Sequence, residues 1–235
     1  LAVGAFFIVR YWQEDDDEDE RGEGSAAAAT VAENPAPLQA AGAQFVYNFD
    51  SDAAGKIPEH FHGALTGGGP PPTWAVQTDP TAPSKPNVVA QTSTDKTDYR
   101  FPLLIADDGA FQDLDISVKF KAVSGSVDQA GGLVFRLKDA NNYYIVRANA
   151  LEDNYRLYHV VKGRRVQFAG ANFKVASGTW HELRVEARGN KFTCYYDGAK
   201  KIEATDNTFK EAGKTGLWTK ADSVTYFDDL KVTAR

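Results

Sequence analysis

DQAGGLVFRLKDANNYYIVRANALEDNYRLYHVVKGRR, residues 128–165, contains three apolar-rich runs, with one turn signal between the first two and another after the third. The runs at 132–138, 143–149 and 156–161 are too short for typical helices. They are rich in Val, Ile, Leu, Phe and Tyr, the side chains that suit a pleated, half-buried surface. Asn141-Asn142 and Lys162-Gly163 place residues tolerant of positive φ where a tight reversal needs them. The segment therefore predicts an antiparallel meander of three strands.

Outward from it the same grammar continues in both directions. Short alternating stretches predict further strands at 45–49, 74–78, 87–91, 115–121, 181–187, 192–196 and 225–233, with hairpin turns at Gly189-Asn190 and Asp197-Gly198. Helical periodicity is nearly absent. This many short strands between residues 44 and 235 predicts an all-β fold, a two-sheet antiparallel jelly-roll sandwich. Trp180 and Leu183 are expected to set the core of one strand, and Tyr226, Phe227 and Leu230 to close the sandwich from the last. Cys194 is the single cysteine; it alternates with Phe192 and Tyr196 and reads as a buried thiol rather than a nucleophile.

The first 43 residues are of another kind. Residues 1–9 (LAVGAFFIV) are wholly apolar and are followed by Arg10, Tyr11 and Trp12, a flank suited to the headgroup layer. Residues 1–12 are therefore expected to be the end of a membrane-anchoring helix, with Phe6, Phe7, Ile8, Tyr11 and Trp12 in or beside lipid. Residues 13–43, an acidic block followed by Ala- and Pro-rich sequence, have linker composition. Residues 1–43 carry two bases and nine acids, net −7, which leaves 24 bases and 23 acids, net +1, for residues 44–235. The sandwich thus lacks the basic footprint that phosphate neutralisation demands, and nucleic acid is excluded as a partner.

Four blocks carry a resemblance: FDSDAAGKIPEHF (49–61), the quoted meander (128–165), GTWHELRVEARGNKFTCYYDG (178–198) and GLWTKADSVTYFDDLKV (216–232). Together they resemble LamG-like, concanavalin A-like lectin/glucanase domains, in particular the bacterial 3-keto-disaccharide hydrolase-like branch. The resemblance implies a jelly roll with one concave sheet, in an exported protein. It further implies a structural Ca²⁺ where first and last strands meet, for which Asp50, Asp52, Asp228 and Asp229 are the candidates; no other cofactor is required. The fold hosts lectins, glycosidases and plain structural modules, so chemistry has to come from particular residues.

A retaining glycosidase needs two carboxylates about 5–5.5 Å apart. The strand pattern Glu, apolar, Asp, apolar, two residues, Glu that supplies them in this fold class is absent, and Glu152 and Asp153 are adjacent, so on a strand they would point to opposite faces. His60 and His62 share a face but have no third ligand nearby, and no Gly-x-Ser-x-Gly elbow occurs. For sugar binding, aromatic faces and planar polar groups are the relevant chemistry. Arg147 and Asn149 share a strand face, and Trp74, Arg136, Tyr144, Tyr155, His159 and Trp218 complete the candidate set. The first functional reading is a non-catalytic, membrane-anchored accessory subunit. It would sit on the extracytoplasmic, periplasmic side and dock on membrane protein subunits through its tail and sandwich. The alternative is a carbohydrate-binding, lectin-like module with glycans as partners; a third is a 3-keto-disaccharide hydrolase-like enzyme.

Overall fold

A computed structural model describes residues 37–235; the anchor and most of the linker lie outside the described residues. Fifteen strands follow in order. The first eight are β1 (Gln44–Tyr47), β2 (Phe61–Gly67), β3 (Trp74–Thr78), β4 (Asn87–Gln91), β5 (Arg100–Ala106), β6 (Leu114–Ser124), β7 (Ala130–Asp139) and β8 (Asn142–Asn149). The rest are β9 (Asn154–Val161), β10 (Arg164–Asn172), β11 (His181–Arg188), β12 (Lys191–Tyr196), β13 (Ala199–Thr205), β14 (Lys214–Trp218) and β15 (Val224–Ala234).

They form two antiparallel sheets. Sheet I has the order β13-β12-β11-β6-β15-β4-β3, with β1 added on β15, and sheet II has the order β10-β9-β8-β7-β14-β5-β2. The all-β jelly-roll expectation agrees with this architecture. Residues 37–43 already lie on the sandwich: Leu38 bridges Ala110, and the Gly42 amide donates to the Ala234 carbonyl at 2.9 Å.

The core follows from strand alternation. In β6 every second residue from Leu114 to Ala122 is buried; these lie beside Leu183, Val185 and Ala187 of the neighbouring β11 and pack in the same core as Leu133 and Phe135 of β7 in the other sheet. A Leu or Phe taken fully out of water contributes about 1.5–3 kcal/mol, so a layer of this size dominates the fold's stability. Cys194 lies in the layer, wholly buried, and burial pushes its thiol far up from its ordinary value. Trp180 and Tyr226 differ from expectation. They are half-buried on the outer face of sheet I, where their rings flank the Lys121 ammonium at 5.1 and 5.2 Å. A β-strand offers two faces, and alternation alone does not say which one an amphipathic aromatic takes.

Sheet II has a second apolar layer on the face turned away from sheet I. Phe101, Leu103 and Ile105 of β5, Val134 of β7, Tyr143 and Ile145 of β8, Tyr158 and Val160 of β9 and Trp218 of β14 build it. The sheet curls strongly enough for its far edge to reach back over this layer. The Tyr99 hydroxyl, just before β5, donates to the Gly163 carbonyl at 2.8 Å and accepts from the Arg165 amide at 3.0 Å. The result is a curved face, called the hollow below, filled by these packed side chains and bridged at one end by the β9–β10 turn.

Candidate functional site

At the other end of the hollow four loops meet: 92–99, 125–129, 150–153 and 219–223. The second and fourth of these loops are joined by hydrogen bonds to one carboxylate. Asp222 accepts from the amides of Ser126 (2.7 Å), Val127 (3.0 Å) and Asp128 (3.0 Å) and from the Ser126 hydroxyl (2.9 Å). These donors hold the Asp222 carboxyl below its ordinary range even though burial acts to raise it. Gly125 makes the turn possible: its φ is +154°, and a Cβ there would stand 1.9 Å from the Asp128 carbonyl oxygen.

This clamp delivers Asp128 to the hollow, 1 % exposed, where Asn149 Nδ2 donates to its Oδ1 at 2.8 Å. Burial pushes the Asp128 carboxyl up to about 6, against the pull of Arg147 and Lys220. The Asn149 side-chain oxygen in turn accepts from the Leu151 amide at 2.9 Å, shaping the β8–β9 turn. That turn carries Glu152, which accepts from Arg147 Nη2 at 2.9 Å and from Asn154 Nδ2 at 3.0 Å. Burial acts to raise the Glu152 carboxyl, but Arg147 and Asn154 hold it below its usual value. Arg147 also donates to the Tyr158 hydroxyl at 2.9 Å and to Asn154 Oδ1. Lys220 lies 2.8 Å from Asp98 and 3.4 Å from Asp128 Oδ2.

Arg165 completes the wall from β10. Its guanidinium stands over the rings of Tyr158 (4.6 Å), Phe101 (4.7 Å) and Trp218 (5.7 Å), and Arg147 flanks the same Tyr158 ring at 5.7 Å. Arg147 Nε, Arg165 Nη1 and Asp128 Oδ2 are buried without a hydrogen-bond partner, as are Trp218 Nε1 and Thr219 Oγ1 beside them. Buried polar atoms are normally paired, because leaving one bare costs about 1–3 kcal/mol. Two donors and an acceptor, set among aromatic faces, are what a polyhydroxylated ring can satisfy.

Of the residues named from sequence, Arg147, Asn149 and Trp218 come together here. The other five sit elsewhere. Trp74 is buried between the sheets, 5.9 Å from the Phe227 ring. Tyr144 and Tyr155 face the same interior; Tyr144 donates to Asp206 Oδ1 at 2.6 Å and Tyr155 to the Tyr195 carbonyl at 3.1 Å. His159 shares the Tyr144 face, stacked on Phe168 at 5.8 Å with Nδ1 3.3 Å from Asp206. Arg136 is 1 % exposed and donates to the carbonyls of Gln112 (2.7 Å), Phe209 (2.9 Å) and Gly189 (2.6 Å), so its donors are spent on three loops. Asp128, Glu152, Tyr158, Arg165 and Lys220 escaped the sequence reading as a group. They come from separate strands and loops, and only the curl of the sheet joins them.

Of the four calcium candidates, three accept from protein donors, and the Asp229 amide donates to Asp228 Oδ1 at 2.7 Å. Asp228 takes the Ser84 amide (2.8 Å) and hydroxyl (2.9 Å), Asp50 the Asn87 amide (3.0 Å) and Asp52 the Glu59 amide (2.9 Å). Among the described residues no group of three or more His, Cys, Asp or Glu is disposed to hold a metal ion. His60 and His62 pair with Asp108 and Asp107 at 3.2 and 2.5 Å.

The sequence pattern of a family described as "3-keto-alpha-glucoside-1,2-lyase-like domain" matches residues 49–233. The chain belongs to this family. A curated relative, the levanase of Bacillus subtilis (strain 168), is 32% identical over 104 residues, which cover 44% of this chain and 15% of that protein. The match thus spans a small part of the levanase. Among solved structures, the carbohydrate-binding module CBM66 from Bacillus subtilis aligns with a TM-score of 0.59 at 20% identity, over 73% of this chain and 95% of that one. A Bacillus licheniformis beta-glucanase aligns with a TM-score of 0.56 at 15% identity, over 83% and 99%. At such identities the likeness is one of fold, the concanavalin A-like jelly roll that the family shares with binding modules and hydrolases alike.

Proposed function

We propose that the protein is a non-catalytic carbohydrate-binding module whose ligand sits in the hollow of sheet II, at the end where Arg147, Asp128, Glu152 and Lys220 converge. The observation that carries this reading is the set of buried polar atoms without a hydrogen bond beside the rings of Tyr158 and Trp218. Sugar hydroxyls both donate and accept, so one ring can satisfy the Arg147 Nε donor and the Asp128 Oδ2 acceptor. The family, the levanase segment and the fold of CBM66 support the same class of ligand. The missing paired-carboxylate spacing favours binding over hydrolysis.

The test is a glycan array followed by calorimetric titration of the strongest hit, including levan and β-glucan among the probes. Wild type should bind at least one glycan, and Arg147→Ala should lower that affinity at least tenfold, while Arg136→Met and Tyr144→Phe leave it unchanged. Absence of any glycan binding, or equal loss in the remote variants, would refute the assignment.

A further inference from the structure

We infer that the sugar taken by the hollow carries a carboxylate, and that Arg165 is the residue that recognises it. This rests on the carbohydrate-binding reading and adds the class of sugar. The inference comes from how the charges around the hollow are paired. Arg147 has Glu152 at 2.9 Å, and Lys220 has Asp98 at 2.8 Å and Asp128 at 3.4 Å. Arg156, further along β9, donates to the Ala171 carbonyl at 2.8 Å and to Asn172 Oδ1 at 2.6 Å. Arg165 alone in this group has neither: it forms no ion pair and no side-chain hydrogen bond among the described residues, and its Nη1 is buried without an acceptor.

Its surroundings define what would complete it. The rings of Tyr158, Phe101 and Trp218 stand within 4.6–5.7 Å of the guanidinium and attract the cation. A ring offers nothing to an in-plane N–H, and a half-buried guanidinium with one nitrogen buried and bare keeps a preference for a planar, bidentate anion. Arg147, with its own bare Nε, flanks the same Tyr158 ring, and Asp128 lies close enough to feel both arginines. An acidic monosaccharide unit spans this arrangement, its carboxylate on Arg165 and its hydroxyls on Arg147 Nε and Asp128 Oδ2. A neutral sugar would supply Arg165 with a hydroxyl oxygen only and leave its charge unanswered.

The experiment titrates the full chain with matched pairs of oligosaccharides. Galacturonate and glucuronate oligomers are compared with their methyl-esterified forms and with neutral galactose and glucose oligomers, at low and high salt. The expected result is tenfold or greater preference for an acidic probe over its ester, shrinking in high salt. Arg165→Gln should bring acidic and esterified probes to the same affinity, and Arg165→Lys should restore part of the gap. The comparison of acid with ester uses the wild-type protein, so it stands even if a variant at this packed position folds poorly. Equal or stronger binding of the ester or of a neutral probe would overturn the carboxylate assignment and leave the carbohydrate reading in place. No binding of any of these probes would overturn the carboxylate assignment, and the glycan array, with levan and β-glucan among its probes, then decides the carbohydrate reading separately.

Discussion

Arg136→Met separates a structural arginine from a ligand-binding one. Arg136 sits at a bulge in β7 and ties together the chain before β6, the β11–β12 turn and the segment after β13, through the Gln112, Gly189 and Phe209 carbonyls and a 3.3 Å contact with Asp113. Methionine keeps most of the stem's packing against Phe192, over which the guanidinium now lies at 5.5 Å, but it removes every donor. Each carbonyl left bare costs about 1–3 kcal/mol, at the low end where water can reach it. Part of this is offset, because burial already depresses the Arg136 pKa and removing the charge relieves that cost. The net loss is about 2–4 kcal/mol. For a domain of this size it corresponds to a fall in Tm of roughly 10 °C, at about 2–4 °C per kcal/mol. Urea and thermal unfolding followed by tryptophan fluorescence would read it, with glycan titration of the folded variant alongside. A fall of less than about 3 °C, or loss of glycan affinity with stability intact, would refute the reasoning and return Arg136 to the binding face.

Asp222→Ala removes the acceptor that gathers residues 126–128; it should cost about 2–4 kcal/mol and speed hydrogen exchange at those amides, and unchanged exchange there would contradict the clamp. Gly216→Ala would put a Cβ 2.3 Å from the Leu104 carbonyl oxygen, between β5 and β7, and should destabilise by about 3 kcal/mol or more, read as a shifted urea midpoint. The Asp128 and Asp228 carboxyls are both raised by burial from 3.8 to about 6, so between those values the folded protein holds protons that the unfolded chain has released. Their contribution is full below pH about 4 and is lost as pH rises through about 6, on the order of 2–3 kcal/mol for each group. Urea unfolding at pH 4.5 and 7 should show that loss, and Asp128→Asn should flatten the slope by about half.

How much of this was legible in the sequence depends on which faces of a strand are buried. β6 reads directly, because one face packs on the core and the other meets water, and the Asp197-Gly198 and Gly189-Asn190 turns announce their hairpins. β5 (RFPLLIA) is buried on both faces, so it has no alternation to see, and its Pro102 argues against a strand. β10 and β13 are polar edge strands, and β14 has five residues with a glycine at its centre. The site divides in the same way. Arg147 and Asn149 follow from the two-residue period of β8, whereas Arg165 meets Trp218 only because the sheet bends back on itself, a tertiary fact no local pattern encodes.

The placement of β15 governs when this molecule can become itself. Strand Val224–Ala234 lies between β6 on one side and β4 and β1 on the other, so without it sheet I consists of three separate pieces, β13-β12-β11-β6, β4-β3 and β1. A growing chain on the ribosome holds the strands of all three pieces early but cannot join them. It must stay loose, with strand edges open to strangers, until β15 has emerged. Closure then pairs residues far apart in sequence, Gln44 with Thr233 among them, the kind of long-range contact that makes folding slow. Truncation before residue 224 would therefore yield no smaller sandwich, only a sticky intermediate, and a chaperone able to hold that intermediate would raise the yield of the whole protein.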